Sequence, residues 1–571
     1  MRDAENFQIT DDMDDFDTDI TLSFPSSRSK ALDMCVNSFL ENNEIDAYSD
    51  PDEIVEQLMA FVQNEFRRHN EAAPKGTKMP VPSDLTPAMI AKIMLKMYCI
   101  KNINCAGIES DERYDLLGIY QEDGPDKGIY ISREKEIQKI ICRFNPELNS
   151  SQIKLTVSLL QINAERVERC SDPDLIAVNN GIFNYKTKIL EPFNCEKVFT
   201  AKCCVDYNPA AANVTITNKK DNTTWNVEDW IKEMFDDPDI PETIWQILGA
   251  VIRPNVRWGK SAWFVSAKGC NGKGSLCTLA RNLAGSRSCA SIQLSDFSRE
   301  FMLEPLIGAT AIITDENDVG DFIERSANFK AVVTNDVIQV NRKNKTPIAY
   351  RFTGFMIQCI NYMPRTKDRT DSLYRRCLYI PFNKCYTGAE RKYIKDVYLN
   401  RREVLEYVLY RVLHMNYYEI TVPASCRDAL EEYKTFNNPI LSFLEDTLPE
   451  ACLGCIPPTL IYDMYKGWSK KNNPDGGLVG IKLFLKELES YDLSKYGWTY
   501  EDKYKRVGDR MFREEPLLNE YNCVDWMKNP NSNYNIRDRI TIENPPVTAK
   551  GLFKDNWQPK NTAGGYAFID E

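Results

Sequence analysis

The chain has 571 residues, 43 % of them hydrophobic and 27 % charged, a balance that builds cores and allows three or four domains. With 71 Lys and Arg against 83 Asp and Glu, the net charge is −12, which excludes a protein that coats nucleic acid with its whole surface but leaves room for a local basic stripe. No run approaches the ~18 apolar residues of a membrane span, and the acidic start MRDAENFQITDDMDDFD has no apolar signal core, so a cytoplasmic protein with no membrane partner is expected.

Residues 1–20 hold eight acidic groups against Arg2 alone, which predicts a self-repelling, flexible acidic segment over 1–45. Ile54, Leu58, Phe61, Val62 and Phe66 then follow helical spacing, started by Asp50 and Pro51. A second apolar helix is predicted over Thr86–Ile100, and together these make a helical region over 46–110. Residues 111–235 read as a mixed α+β domain. LLGIYQEDGPDKGIYIS predicts two strands about a polar turn, and LIAVNNGIFNYKTKILEPF a strand, an Asn-Asn-Gly turn and a second strand. Helical spacing resumes over Trp230–Leu248. From 236 to 400, short β-rich runs alternate with helical ones, the pattern of an α/β layer on a largely parallel sheet. Beyond 425 the chain becomes helical and charged, with TLIYDMYKGWSKKN and GIKLFLKELESY as amphipathic helices. Residues 531–571, turn-rich and then loose, read as an extension. The 18 Cys are scattered and read as reduced thiols. Cys452 and Cys455 have metal-ligand spacing without a second pair, and are expected to be two thiols rather than a zinc site.

Four segments carry chemistry. The first is SAWFVSAKGCNGKGSLCTL, where an apolar strand enters the loop Ala267, Lys268, Gly269, Cys270, Asn271, Gly272, Lys273, Gly274, Ser275 and a helix follows. Glycines let backbone N–H groups approach phosphate oxygens, the helix N-terminus adds positive potential, and Lys273 reaches the outer phosphates. The loop departs from the strict pattern twice: Ala267 stands at the first glycine position, and Gly274 follows the lysine, leaving Ser275 as the hydroxyl. The second segment, GATAIITDE, is a strand ending in Asp315 and Glu316. Asp315 together with Ser275 is expected in the shell of a Mg²⁺ ion, and Glu316 is expected to activate the attacking water. The third, FTGFMIQCIN, ends in Asn361, a candidate to bond the γ-phosphate or the water; Arg375 and Arg376 follow as candidate arginine fingers. The fourth, FKAVVTNDVIQVNRKNK, predicts a hairpin with a charged tip. Residues 341–376 hold nine basic and two acidic groups, so Lys343 and Lys345 are candidate DNA contacts.

In this order, these segments resemble the superfamily 3 helicases, in particular the helicase modules of phage and plasmid primase-helicases. NGKGS is similar to that group's phosphate loop, TDEN to its acidic strand end, the 329–345 segment to its DNA hairpin, and Asn361 and Arg375 to its sensor and finger. LIAVNNGIFNYKTKILEPF with VDYNP resembles the domain preceding the helicase, and PPTLIYDMYKGWSKKN with GIKLFLKELE its winged-helix tail. The resemblance implies an AAA+-like P-loop NTPase core with a parallel sheet, a mixed α+β N-terminal region, and a helical winged-helix-like C-terminal domain over 425–530. It implies ATP and Mg²⁺ held between subunits of a homo-hexamer, and single-stranded or forked DNA moved 3′→5′ through a central channel for a phage or mobile element. Such a protein would work in the host cytoplasm. No carboxylate pair with a catalytic His precedes residue 240, so a helicase without primase activity is expected, with a primase or other replication proteins as partners. Two alternatives belong to other classes. One is an origin-binding initiator or loader using ATP as an assembly switch with little unwinding. The other is a nucleotide-dependent interaction protein.

Overall fold

A computed structural model describes residues 24–107, 111–266, 269–318, 322–323, 326–361, 364–366, 368, 370–472, 478–532 and 535–557. The acidic stretch 1–20, Ala267 and Lys268 lie outside the described residues. The chain divides into two units, 1–319 with 325–361 and 382–421, and 320–324 with 362–381 and 422–571.

The first unit begins with three helices. Arg28–Asn42 buries Ala31, Cys35, Val36, Phe39 and Leu40, which corrects the expectation of a flexible segment over this part of 1–45: five buried apolar residues anchor the helix. Pro51–Ala72 starts where the sequence predicts, the Asp50 carboxylate accepting from the Asp52 N–H at 2.9 Å. The helix predicted through Ile100 spans Pro87–Met97, because Ile100 already opens a strand. That strand, Ile100–Asn104, pairs antiparallel with Leu116–Tyr120 and parallel with Glu165–Glu168, while Tyr130–Ile131 closes the other edge. Leu175–Val178, Gly181–Asn184 and Ile189–Glu191 form a meander. The segment predicted as helical over Trp230–Leu248 is two helices, Val227–Glu233 and Ile240–Ile252, with Pro238 between them.

The rest of the first unit is built on parallel strands. β1 (Ser261–Val265) leads through the glycine-rich loop to α1 (Lys273–Ala284), followed by β2 (Cys289–Ala290), β3 (Ala311–Thr314) and α2 (Ala327–Val333). β4 (Val337–Arg342) and β5 (Lys345–Arg351) make an antiparallel hairpin before β6 (Phe355–Ile360). The parallel order is β2-β3-β6-β1. β3 and β6 are buried at every position, as parallel strands covered on both faces must be. The hairpin turn places Asn344 at φ +59°, a left-handed position that asparagine tolerates.

The second unit contains, in order, α3 (Pro439–Thr447), β7 (Cys455–Ile456), α4 (Pro458–Asn472), α5 (Ile481–Ser490), β8 (Trp498–Arg506) and β9 (Thr548–Lys554). The three strands are antiparallel in the order β7-β9-β8. Phe443, Met464, Phe484, Leu488, Trp498 and Leu552 fill one core between helices and sheet. The reading of 531–571 as an extension is corrected here: Thr548–Lys554 is the middle strand, with Leu552 and Phe553 buried. Of the two spaced cysteines, Cys455 is buried, which pushes its thiol up to about 12, and Cys452 is exposed.

Glu515 holds this unit's irregular segments. Its fully buried carboxyl accepts from the Cys452 N–H at 2.7 Å, the Leu453 N–H at 3.0 Å and the Leu517 N–H at 3.3 Å. Burial raises its pKa above the ordinary carboxylate value despite those donors. Glu515→Ala would strand the buried N–H groups of Leu453 and Leu517 and take the acceptor from that of Cys452, and a destabilisation of about 2–4 kcal/mol is expected in urea unfolding, with Glu515→Gln milder because one acceptor oxygen remains.

Candidate active site

The glycine-rich loop is shaped by backbone that few residues adopt. Cys270 sits at φ +54° and Gly272 at φ +92°. A Cβ on Gly272 would also lie 2.8 Å from the Met234 sulfur, so only glycine fits before the first turn of α1. The loop is tied from outside, the Tyr386 N–H donating to the Cys270 carbonyl at 2.8 Å.

Lys273 opens α1 and is 7 % exposed. Its amine donates to the Asn361 Oδ1 at 3.0 Å and the Ser266 carbonyl at 3.4 Å. Those two acceptors are neighbours because β1 and β6 pair in register Val265↔Ile360, and the Ser266 N–H continues the ladder to the Ile360 carbonyl at 3.2 Å. Burial lowers the Lys273 pKa, partly opposed by Cys359, Cys277 and the charge of Glu316. Lys273 thus bonds to the ends of β1 and β6, and Glu316, past the end of β3, acts on the amine through its charge. Lys273 also stands at the N-terminus of α1, its own N–H donating to the Asn271 Oδ1 at 3.4 Å, and a helix N-terminus suits an anion.

Asp315 and Glu316 follow β3 and are both exposed. They face different partners. The Asp315 carboxylate takes an ion pair from Arg281 of α1 at 2.7 Å, and Arg281 also donates to the Ile313 carbonyl at 2.8 Å. Glu316 carries the charge felt by Lys273. Arg281 and the next residue, Asn317, escaped the sequence reading. Asn317 is buried, accepts from the Leu294 N–H at 2.8 Å, and donates to the Gln358 Oε1 at 3.0 Å and the Cys359 carbonyl at 2.9 Å. It fixes the acidic strand end to β6. The available signal was a polar residue directly after the acidic pair, in TDEN.

Ser275, Gly272 and Cys270 line a cavity of about 330 Å³ together with Trp230, Met234 and Lys395. Lys395 is a third residue missed in the sequence: its amine lies 3.6 Å from where a Cβ on Gly274 would stand. A half-buried hydroxyl and a buried lysine in the first turn of a helix, with a cavity beside the hydroxyl, are groups suited to holding a phosphate.

The remaining candidates belong to other elements. Lys343 and Lys345 are exposed at the β4–β5 turn. Lys345 is ion-paired with Glu134 of the helix Glu134–Phe144. The hydrogen bond from Lys345 holds the Glu134 carboxyl below its ordinary range. Arg375 and Arg376 belong to the second unit, after the short helix Asp371–Tyr374. Arg376 is half-buried and donates back to the Ser372 carbonyl and, at 3.0 Å, to its Oγ, whereas Arg375 is exposed.

Two family models match the chain. Residues 91–236 match one described as D5 N terminal like, and residues 264–376 one described as a family of unknown function, DUF5906. No curated protein matches. Among solved structures, the apo A form of the NrS-1 C terminal region is similar at 16 % identity and a TM-score of 0.38, over 73 % of this chain and 88 % of that one. A JCV helicase bound to a thiazolopyridinyl-phenoxyphenyl acetamide is similar at 13 % identity and a TM-score of 0.24, over 38 % of this chain and 62 % of that one. Among the described residues, no helix is long and apolar enough to cross a membrane.

Asn317 gives a direct test of how the acidic strand end is held. Asn317→Ala is expected to cost about 2–4 kcal/mol in urea unfolding, because it strands the buried Leu294 N–H and the Cys359 carbonyl together with Gln358.

Proposed function

We propose that the chain is an ATP-driven DNA helicase of the superfamily 3 type, serving replication of a phage or mobile element. The observation that carries this reading is the 3.0 Å bond from the Lys273 amine to Asn361, which joins the phosphate loop to a strand-end polar group beside the acidic pair. The D5 N terminal like match over 91–236 supports it independently. In this reading Lys273 and the N–H groups of α1 hold the β- and γ-phosphates. Ser275 and Asp315 would hold Mg²⁺, which supplies charge neutralisation at the phosphates, with Asp315 exchanging its Arg281 partner for the ion. Glu316 orients the attacking water and accepts its proton. Asn361, released from the lysine, bonds the γ-phosphate or that water. Arg375, the exposed member of its pair, completes the pocket of a neighbouring subunit in a homo-hexameric ring. Lys343 and Lys345 at the hairpin tip engage single-stranded DNA, Lys345 leaving Glu134 to do so. We read the helix–strand–helix–helix–strand–strand order of the second unit as a winged helix.

A second reading, an origin-binding initiator or loader that uses ATP as an assembly switch, is favoured by one feature: α5, the last helix before β8, exposes Lys482 and Lys486. The two readings separate on a forked substrate. The helicase displaces the strand with ATPase stimulated by single-stranded DNA; the loader binds one duplex sequence tightly and displaces nothing.

Lys273→Ala is expected to reduce ATPase by roughly a hundredfold or more and to abolish unwinding, and normal strand displacement by that variant would sink the proposal. Lys343→Ala should retain basal ATPase and lose strand displacement. Mixing Lys273→Ala with Arg375→Ala subunits should restore ATPase that neither has alone, because mixed interfaces pair an intact loop with an intact finger.

A further inference from the structure

A different cavity of the first unit, about 340 Å³, has no role in the reading above and includes no residue of the glycine-rich loop. It lies where the end of the strand Ile100–Asn104, the segment after Glu165–Glu168, residues 254–257 and the end of β5 come together. Its lining carries Arg169, Arg257 and Arg351 against one carboxylate, Glu168, in a chain whose net charge is −12. That local reversal of sign calls for an anion.

The three arginines have separate tasks. Arg169 is committed to the scaffold. Its guanidinium donates to the Arg351 carbonyl at 2.6 Å, the Cys105 carbonyl at 3.1 Å and the Tyr350 hydroxyl at 3.3 Å, and lies 5.0 Å from the Tyr350 ring. Arg351 is held by its backbone: its N–H donates to the Cys105 carbonyl at 3.0 Å. Its side chain is left to the cavity, with the Nε buried and without a hydrogen-bond partner. Gly107, at φ +65°, leaves room for that guanidinium, since a Cβ there would stand 3.3 Å from Nη1. Arg257 is exposed at the rim. A buried guanidinium N–H without an acceptor is costly, and a forked donor is the match for a phosphate's paired oxygens. The volume suits a ligand of about one nucleotide.

We infer that this cavity is a second phosphate-ester site, in which Arg351 and Arg257 bind the phosphate of a free nucleotide or of a DNA strand. Because Arg351 ends β5, an occupant would touch the base of the same hairpin whose tip carries Lys343 and Lys345. The inference does not rest on the ATPase reading. Its test uses the full chain in a Lys273→Ala background, which prevents turnover of the probe, and each variant is compared within that one background.

Fluorescence anisotropy is measured with two probes, labelled ATP and a labelled 20-nucleotide oligo-dT, on the background protein and on Arg351→Met and Arg257→Gln made within it. At least tenfold weaker binding of one probe in both variants is expected, and the probe affected names the source of the phosphate. If the strand is the ligand, the slope of log affinity against log salt should also fall by about one per arginine removed. Affinities within twofold of the background for both probes would overturn the proposal. Should Arg351→Met fail to fold, as judged by circular dichroism, the exposed Arg257→Gln decides by the same criterion.

Discussion

A lysine ammonium taken out of water has to be met by acceptors that cannot move away, and the candidate site is arranged around that requirement at Lys273. Its two acceptors come from the ends of β1 and β6, so the ion is held by the register of a parallel sheet rather than by a loop. A slip of one residue between those strands would turn Asn361 to the opposite face and remove one acceptor. The continuous burial of β3 and β6 is therefore part of the chemistry: apolar packing on both faces keeps the register that presents Ser266 and Asn361 side by side.

A second layer of polar bonds stiffens the same strand ends from inside. Gln358, fully buried in β6, donates to the Ile292 carbonyl at 3.0 Å and accepts from Asn317, while Thr314 donates to Ile292 at 2.8 Å and accepts from its N–H at 3.2 Å. Each member has a partner on a different segment, so the network joins the chain after β2, the acidic end of β3 and the centre of β6. Buried polar groups with every bond made act as alignment pins. Exposed Glu316 inherits its position from buried Asn317 beside it.

Much of this was legible in the sequence because it is written in local rules. Asp50 and Pro51 mark a helix start, Asn344 and its neighbours mark a hairpin turn, and glycines before Lys273 mark a loop that needs positive φ. The parallel sheet showed in its uninterrupted apolar runs. What escaped notice depends on tertiary neighbours. Arg281 reads as an ordinary helix arginine until β3 brings Asp315 beside it. Asn317 is one polar residue among several until its three partners are in place. The helix Arg28–Asn42 hid behind an acidic stretch whose composition dominates any averaged view, and Thr548–Lys554 is a strand because β7 and β8 lie on either side of it, not because its own pattern is strong.

That last strand has a temporal consequence. In the three-stranded sheet of the second unit, β9 lies between β7 and β8, yet it is synthesised some forty residues after β8 ends. The two outer strands therefore have no common neighbour while translation passes through the intervening segment, and Leu552 is missing from the core they share with the helices. Closure of this unit waits for Thr548–Lys554 to leave the ribosome, whereas the last strand of the parallel set, β6, ends at Ile360, well over a hundred codons earlier.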